Sequence, residues 1–514
     1  MSMDPAHDDG SLAGPSGPST PGDKGLRSGA LGLVSSTVIG LASTAPAYSL
    51  AASLGLIVVL AGAKAPVIML LAFVPMYLIA VAYRELNEVE PDCGTTFTWG
   101  TRAFGPWLGW LGGWGVIAAD IIVMANLAQI AGSYSYQLLG LDDLAASTFW
   151  STVAGVVWII LMTYICYRGI EVSARLQYGL LGIELVVLAA FSIVALYKVF
   201  TGEAPAGSMM PSLDWLWPGG LSLSDLVDAI LIAVFLYWGW DTAVACNEEA
   251  DDPSRTPGRA AVLSTLILML TYVLVAVAAV AFAGTGTDGI GLGNKENAAD
   301  VFLAIGPTIF GDGPLGHFFV TLLIISVLTS SAASTQTTIM PTARTALSMG
   351  TFRAIPASFA RVHPKHQTPD YATWAMGIAS IAFYVGLTFL STDVLADSIA
   401  AVGLMIAFYY GFTGFACVWF FRRQLRGRNL WVKGVLPGLG GLLLLGAFVA
   451  SSIGYAKPDG GSTSVLGIGG IFAIGIGALL LGAVLMVVYR LVNPVFFRGE
   501  TLPSGTPESL GLPK

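Results

Sequence analysis

The chain has 514 residues, of which 55% are hydrophobic and only 11% charged, with a formal net charge of −8. Soluble domains carry about a quarter charged residues, so the composition excludes a soluble enzyme, a nucleic-acid binder or a disordered scaffold as the body of the molecule. At about 20 apolar residues per crossing, the chain has room for roughly a dozen membrane spans.

Residues 1–28 are rich in Pro, Gly, Ser and Asp and nearly devoid of apolar side chains. Such a segment cannot bury enough surface to order itself, and a disordered tail is expected. It lacks the charged-then-apolar pattern of a cleaved signal, so the first span is expected to direct insertion. Twelve apolar runs follow, near 30–61, 66–85, 107–139, 149–167, 174–199, 224–246, 259–283, 315–347, 371–390, 395–421, 432–453 and 464–491. They are long and continuous rather than alternating, which excludes a β-barrel. A short polar tail, 499–514, closes the chain.

Two runs are interrupted. In the first, Ile39-Gly40-Leu41-Ala42-Ser43-Thr44-Ala45-Pro46 places a proline among small residues; proline removes a donor and clashes with the carbonyl four residues back. In the sixth, Tyr237-Trp238-Gly239-Trp240-Asp241-Thr242 puts a glycine and a carboxylate at mid-span. Irregular backbone at membrane depth is tolerated only where it is buried in protein or lines a cavity. Interruptions five spans apart point to an inverted-repeat transporter, whose bared N–H groups and helix ends hold an anionic group while exposed carbonyls hold a cation. Ala42, Ser43, Thr44, Ala45, Tyr237, Trp238, Gly239, Trp240 and Asp241 are therefore the candidate substrate-binding residues. The bland alternatives are a proline kink and a packing glycine. For Asp241 the choice is between facing a substrate amine and capping the following half-helix. One of the two tryptophans is expected to act as a gate.

Ionisable side chains within spans are costly and functional by default. Glu184 lies among aliphatics in the fifth run, and Asp120 lies in the third with Asn126 and Gln129 downstream. Glu184 is the candidate proton-coupling residue; the rival readings are a carboxylate for Na⁺ or a cationic substrate, and a hydrogen-bonded structural acid. Asp120 either meets substrate or belongs to a satisfied polar patch. The eighth run carries the hydroxyl-rich stretch Thr329–Gln336.

With the N-terminus placed in the cytoplasm, Lys64, Lys198, Lys295 and Lys457 alone fall outside, and the other twenty of the 24 basic residues fall inside. That bias follows the positive-inside rule and puts both termini in the cytoplasm. The cysteines, Cys93, Cys166, Cys246 and Cys417, match no metal or redox spacing. No phosphate-binding Walker motif occurs, and the four histidines form no metal pair.

Three stretches carry a family resemblance. The first is Arg84-Glu85-Leu86-Asn87-Glu88-Val89-Glu90-Pro91-Asp92-Cys93-Gly94-Thr95-Thr96-Phe97-Thr98-Trp99, continued through Phe104-Gly105-Pro106 to Gly109-Trp110-Leu111-Gly112-Gly113-Trp114. The second is Gly239-Trp240-Asp241 with Asn247-Glu248-Glu249-Ala250-Asp251-Asp252-Pro253 and Pro257. The third is Arg344 with Pro356, Phe359, His363, Lys365, Thr368 and Pro369. Together they resemble the amino acid–polyamine–organocation superfamily of permeases over about residues 30–425. One departure is Ala42, where many relatives have a second glycine.

The resemblance implies an all-α integral membrane protein of about 12 transmembrane helices. It would be a LeuT-type 5+5 inverted repeat with discontinuous helices 1 and 6, a core over 29–425 and peripheral helices 11 and 12 over 426–498. It implies alternating-access import of an amino acid or related amine across the cell membrane, a polyamine or other organocation being the alternative. Glu184 aligns with a position where some proton-coupled relatives carry a lysine. Ser330, Ser331 and Ser334 match the family's cation site, so the coupling ion is H⁺ or, alternatively, Na⁺. No cofactor, metal or nucleic acid is called for; the expected partners are the small substrate and the lipid bilayer, with the protein a monomer or homodimer. A non-transporting membrane sensor and an integral membrane enzyme are the competing classes; the enzyme lacks any cluster of nucleophile, base or metal ligands.

Overall fold

The structure, a computed structural model, describes residues 24–505. The regular elements among the described residues are helices apart from a short hairpin, β1 (Ser464–Val465) against β2 (Ile468–Gly469). In chain order the helices are α1 (Leu33–Ser43), α2 (Pro46–Ala61), α3 (Ala65–Val89), α4 (Thr96–Phe104), α5 (Pro106–Leu138), α6 (Asp142–Ala146), α7 (Thr148–Arg168), α8 (Ile170–Thr201) and α9 (Leu223–Leu236). There follow α10 (Thr242–Ala245), α11 (Thr256–Ala283), α12 (Val301–Phe310), α13 (Pro314–Thr351), α14 (Asp370–Leu390), α15 (Thr392–Phe420), α16 (Arg428–Leu430), α17 (Leu436–Tyr455) and α18 (Gly470–Val492).

Among the described residues, ten stretches are long and apolar enough to cross a membrane. One of them, Leu33–Val89, is 57 residues of nearly continuous hydrophobicity that backbone chemistry cuts into α1, α2 and α3. α9 and α10 are too short to cross alone, and together they make up the run expected at 224–246. Pro46, Pro106, Pro257 and Pro314 each sit in the first turn of a helix, where the missing N–H would be unpaired anyway. α14 and α15 are separated only by Ser391, which is extended and caps α15 through its hydroxyl on Val394 N–H at 3.1 Å.

α13 packs along α5, and α11 lies against α1, α3 and α8. The α1–α2 pair threads between α8, α11 and α13, so its interruption is enclosed by protein on every side. α8, α14 and α18 turn large aliphatic side chains outward, including Val186, Ile193, Ile378, Leu480 and Val484, the outward face expected of helices solvated by lipid.

The ends of the chain depart from expectation. Residues 1–23 and 506–514 lie outside the described residues. Residues 24–28, expected to belong to a disordered tail, are docked instead, because Lys24 is drawn into a pocket of carboxylates: its Nζ lies 2.8 Å from Asp92 Oδ2 and also pairs with Glu248. The C-terminal tail is likewise docked over 499–505. Leu502 is buried, Thr501 Oγ1 donates to Phe352 O at 2.5 Å, and Arg102 binds Pro503 O at 2.9 Å.

Candidate functional site

The first interruption follows from Pro46. Its ring leaves Ala42 O without an ordinary helical donor, and that carbonyl instead takes the Ala45 N–H at 3.2 Å. Ala45 then adopts the left-handed conformation at φ +46°, uncommon for a residue with a Cβ, and α2 starts afresh. Ser43 O, freed at the end of α1, accepts from Ser334 Oγ at 2.9 Å. Thr44 Oγ1 turns back to Leu41 O at 2.7 Å.

The second interruption forms at Gly239, whose φ of +116° strongly favours glycine. Tyr237 and Trp238 close the end of α9, and Leu236 O accepts from Tyr272 Oη at 2.6 Å. The two interruptions touch. A Cβ on Gly239 would sit 2.7 Å from Ser43 O, and Ser43 Oγ bonds Thr242 Oγ1 at 2.8 Å.

Glu184, on α8, reaches this junction. Its Oε1 accepts the Ala47 N–H at 2.5 Å and Ser330 Oγ–H at 2.8 Å, while Oε2 is buried without a partner among the described residues. Ser330 Oγ also accepts from Tyr48 N at 3.2 Å. The free N–H groups opening α2 are thus met by a carboxylate from one helix and a hydroxyl from another, at the positive end of the helix dipole. Ser330 and Ser334 both reach the first interruption. Ser331 does not; its hydroxyl points to Leu127 O on α5, at 3.5 Å.

Asp241 departs from the capping alternative. It stands at the N-cap position of α10 but makes no side-chain cap bond. Its carboxylate instead accepts from Tyr410 Oη at 2.8 Å and Tyr409 Oη at 3.1 Å, and Tyr409 also accepts from Trp238 Nε1 at 2.5 Å. Two phenols from α15 outcompete the turn's own N–H groups, of which Val244 and Ala245 are taken by Asp241 O. Sequence reasoning did not single out Tyr409 and Tyr410; two adjacent tyrosines deep in an apolar run were the available signal. Trp240 is fully buried, its ring 5.1 Å from those of both Tyr83 and Tyr410, so it packs the core. Tyr237 donates to Met69 O at 3.0 Å. Asp120 accepts from Thr342 Oγ1 at 2.5 Å, a paired acid between α5 and α13.

Below the second interruption lies a charged lattice. Arg344 grips Glu249 through Nε at 2.5 Å and Nη2 at 2.9 Å, with both side chains buried. Asn247 bonds Asn87 at 2.7 Å. Asp92, Cys93 and Glu248 offer three donor atoms within 4.8 Å of one another, but the Lys24 ammonium sits on both carboxylates, which fits a cation of the chain itself rather than a metal. Burial opposes the charge of Lys24; Asp92, Cys93 and Glu248 outweigh it and hold the ammonium well above its ordinary range.

Comparison with known proteins decides the family. The model of the family described as amino acid permease matches residues 29–479. The chain belongs to the amino acid permease family. Among similar proteins, an uncharacterized transporter of Mycobacterium tuberculosis (strain ATCC 25618 / H37Rv) is 25% identical over 365 residues, 68% of this chain and 73% of its own. The branched-chain amino acid permease BcaP of Lactococcus lactis is 27% identical over 224 residues, 40% of this chain and 45% of its own. The low-affinity putrescine importer PlaP of Escherichia coli (strain K12) is 23% identical over 386 residues, 74% and 78%. This permease is therefore a multi-pass membrane transporter of small molecules, of the amino acid–polyamine–organocation type, and its relatives' names describe transporters rather than enzymes.

Proposed function

We propose that the permease is a secondary active transporter that imports an amino acid or related amine across the cell membrane by alternating access, coupled to protons at Glu184. In this reading twelve spans form two inverted five-helix repeats plus two peripheral helices, with both termini in the cytoplasm. α1–α2 and α9–α10 are the discontinuous helices 1 and 6. The single observation that carries the reading is the Glu184 carboxylate: one oxygen holds the Ala47 N–H at the first interruption, and the other is buried and has no partner among the described residues. A proton on Oε2 would remove the charge; its loss would restore an anion facing the start of α2. Because Ala47 and Ser330 both read that charge, protonation is transmitted directly to the backbone that would bind a substrate carboxylate. The Ser43–Thr242 bond supports movement of the two interruptions as one unit.

Proteoliposomes test it. With an acidic exterior the wild type should accumulate labelled substrate, and a protonophore should abolish accumulation. Glu184→Gln should retain exchange of substrate across the membrane while losing gradient-driven accumulation. Accumulation by Glu184→Gln that still follows the proton gradient, or wild-type uptake that requires Na⁺, removes the coupling assignment. Failure of the wild type to move any of the twenty amino acids or common polyamines would favour a non-transporting sensor.

A second reading rests on Asp241. Its described partners are tyrosine hydroxyls rather than a cation, which supports a substrate bearing an amine, as in the putrescine importer among the relatives. Asp241→Asn should then impair diamine uptake far more than uptake of a neutral amino acid.

A further inference from the structure

A cavity of about 350 Å³ lies well away from the interruptions, between α14 and α18 at the end of the bundle that carries both described chain ends. Its floor is made by Trp110, Trp114 and Ile117 of α5 with Ala346 and Met349 of α13, and its sides by α14 and by Leu485, Val488 and Val492 of α18. Trp110, Ala346 and Met349 are buried, whereas the α18 residues are exposed, so the cavity is a slot open to the surroundings of the bundle.

The polar edges of its floor and of α13 are engaged elsewhere. Trp110 Nε1 donates to Ala354 O and Trp114 Nε1 to Ala478 O, each at 2.8 Å, and Thr342 Oγ1 serves Asp120. The floor therefore offers water nothing to bind, and apolar surfaces without polar partners stay dry. Along α5 the lining runs from Trp110 to Ile121, about 16 Å at 1.5 Å per residue, close to half the roughly 30 Å hydrocarbon core of a bilayer.

Two exposed arginines adjoin the lining residues. Arg490, next to the lining residue Tyr489, lies 4.8 Å from the ring centroid of Trp107, one turn from Trp110. Arg353 is exposed two residues before the lining residue Ile355. Neither arginine has an acidic partner among the described residues; the nearby acids are taken, Asp370 by Arg361 and Glu500 by Arg498.

We propose that this slot is a binding site for an anionic phospholipid, one acyl chain lying between α14 and α18 and the headgroup phosphate held by Arg353 and Arg490. The arginine charge selects the headgroup, and the dry floor selects the chain. An uncharged lipid would satisfy only the second requirement, and a second copy of the permease would bring the same two arginines against its own.

The test uses the full chain in detergent, stripped of lipid and offered equimolar phosphatidylglycerol and phosphatidylcholine of the same acyl composition, with bound lipid read by native mass spectrometry. The first lipid retained should be phosphatidylglycerol, by at least about fivefold, roughly what one arginine contributes at an anionic surface. Arg353→Gln with Arg490→Gln should bring the ratio near parity. Ala375→Phe with Ala379→Phe, which fills the slot, should reduce first binding of both lipids. Arg422→Gln with Arg423→Gln, on a separate basic stretch, should leave the preference intact. Equal retention by the wild type, an unchanged preference in the Arg353/Arg490 variant, or a dimer in place of a lipid adduct overturns the proposal. If the phenylalanine variant does not fold, the surface arginine pair still decides it.

Discussion

Gly239 shows how little room the junction of the two interruptions leaves. A left-handed backbone costs a side-chain-bearing residue roughly 1–2 kcal/mol, and here the added Cβ would also meet a backbone carbonyl, Ser43 O, at 2.7 Å. Gly40 makes a useful contrast: its nearest clash, at 2.8 Å, is the Ser264 hydroxyl, which can rotate away. Gly239→Ala should therefore lower the thermal midpoint clearly and abolish uptake, while Gly40→Ala should lower it less and keep partial uptake. Both follow from melting curves in detergent and from uptake in proteoliposomes; equal behaviour of the two variants would contradict the close approach of Gly239 to Ser43.

At the scale of elements, α4 is held between the end of α3 and the C-terminal segment by one arginine. Arg102 Nε bonds Glu90 Oε1 at 2.7 Å, Nη1 reaches Pro503 O at 2.9 Å, and Arg102 O accepts from Gly505 N at 2.9 Å. Glu90 Oε2 is buried without a partner among the described residues, and burial pushes the Glu90 carboxyl up from 4.5 to about 7 against the pull of Arg102. The folded protein thus holds a proton that the unfolded chain releases at lower pH. The resulting stabilisation is complete below about pH 4.5 and is lost as pH rises through about 7. Glu90→Gln, which cannot ionise, should flatten the fall in stability between pH 5 and pH 8. Thermal midpoints of the two proteins across that range check this; parallel curves would remove Glu90 as the titrating group.

For the whole molecule, Lys24 links the start of the described chain to the α3–α4 loop through Asp92 and to the exit of the second interruption through Glu248. Asp92 also accepts from Thr98 and Ser348 hydroxyls, each at 2.7 Å. Burial raises the Asp92 carboxyl, but Lys24 and these hydroxyls outweigh it and hold it below its usual range. Its stabilisation is present above the ordinary aspartate value and disappears as pH falls through the lowered one. Removing one partner of a buried ion pair costs about 3–5 kcal/mol, so Lys24→Met should destabilise the protein strongly at pH 7. The deficit should shrink toward pH 4 as the abandoned carboxyls take up protons. A deficit independent of pH, read as the difference in thermal midpoint from wild type, would assign Lys24 a packing role alone.

Local chemistry in the sequence determined the long apolar helices, the bias of positive charge, and the places where Pro46 and Gly239 part the backbone. Each of these depends on a residue's own dihedral limits or on the hydrophobicity of a short window. Tertiary structure decided which groups meet at those places. Glu184 stands 137 residues from Ala47 and Tyr410 stands 169 from Asp241, and no window of sequence encodes a pairing between helices so far apart. For the same reason the capping alternative for Asp241 lost to two phenols from another helix, Ser331 turned away from its neighbours' target, and the terminal segments that composition marked as tails found buried partners at their inner ends. A polar side chain in a dry interior takes whichever partner the packing of distant helices brings within reach.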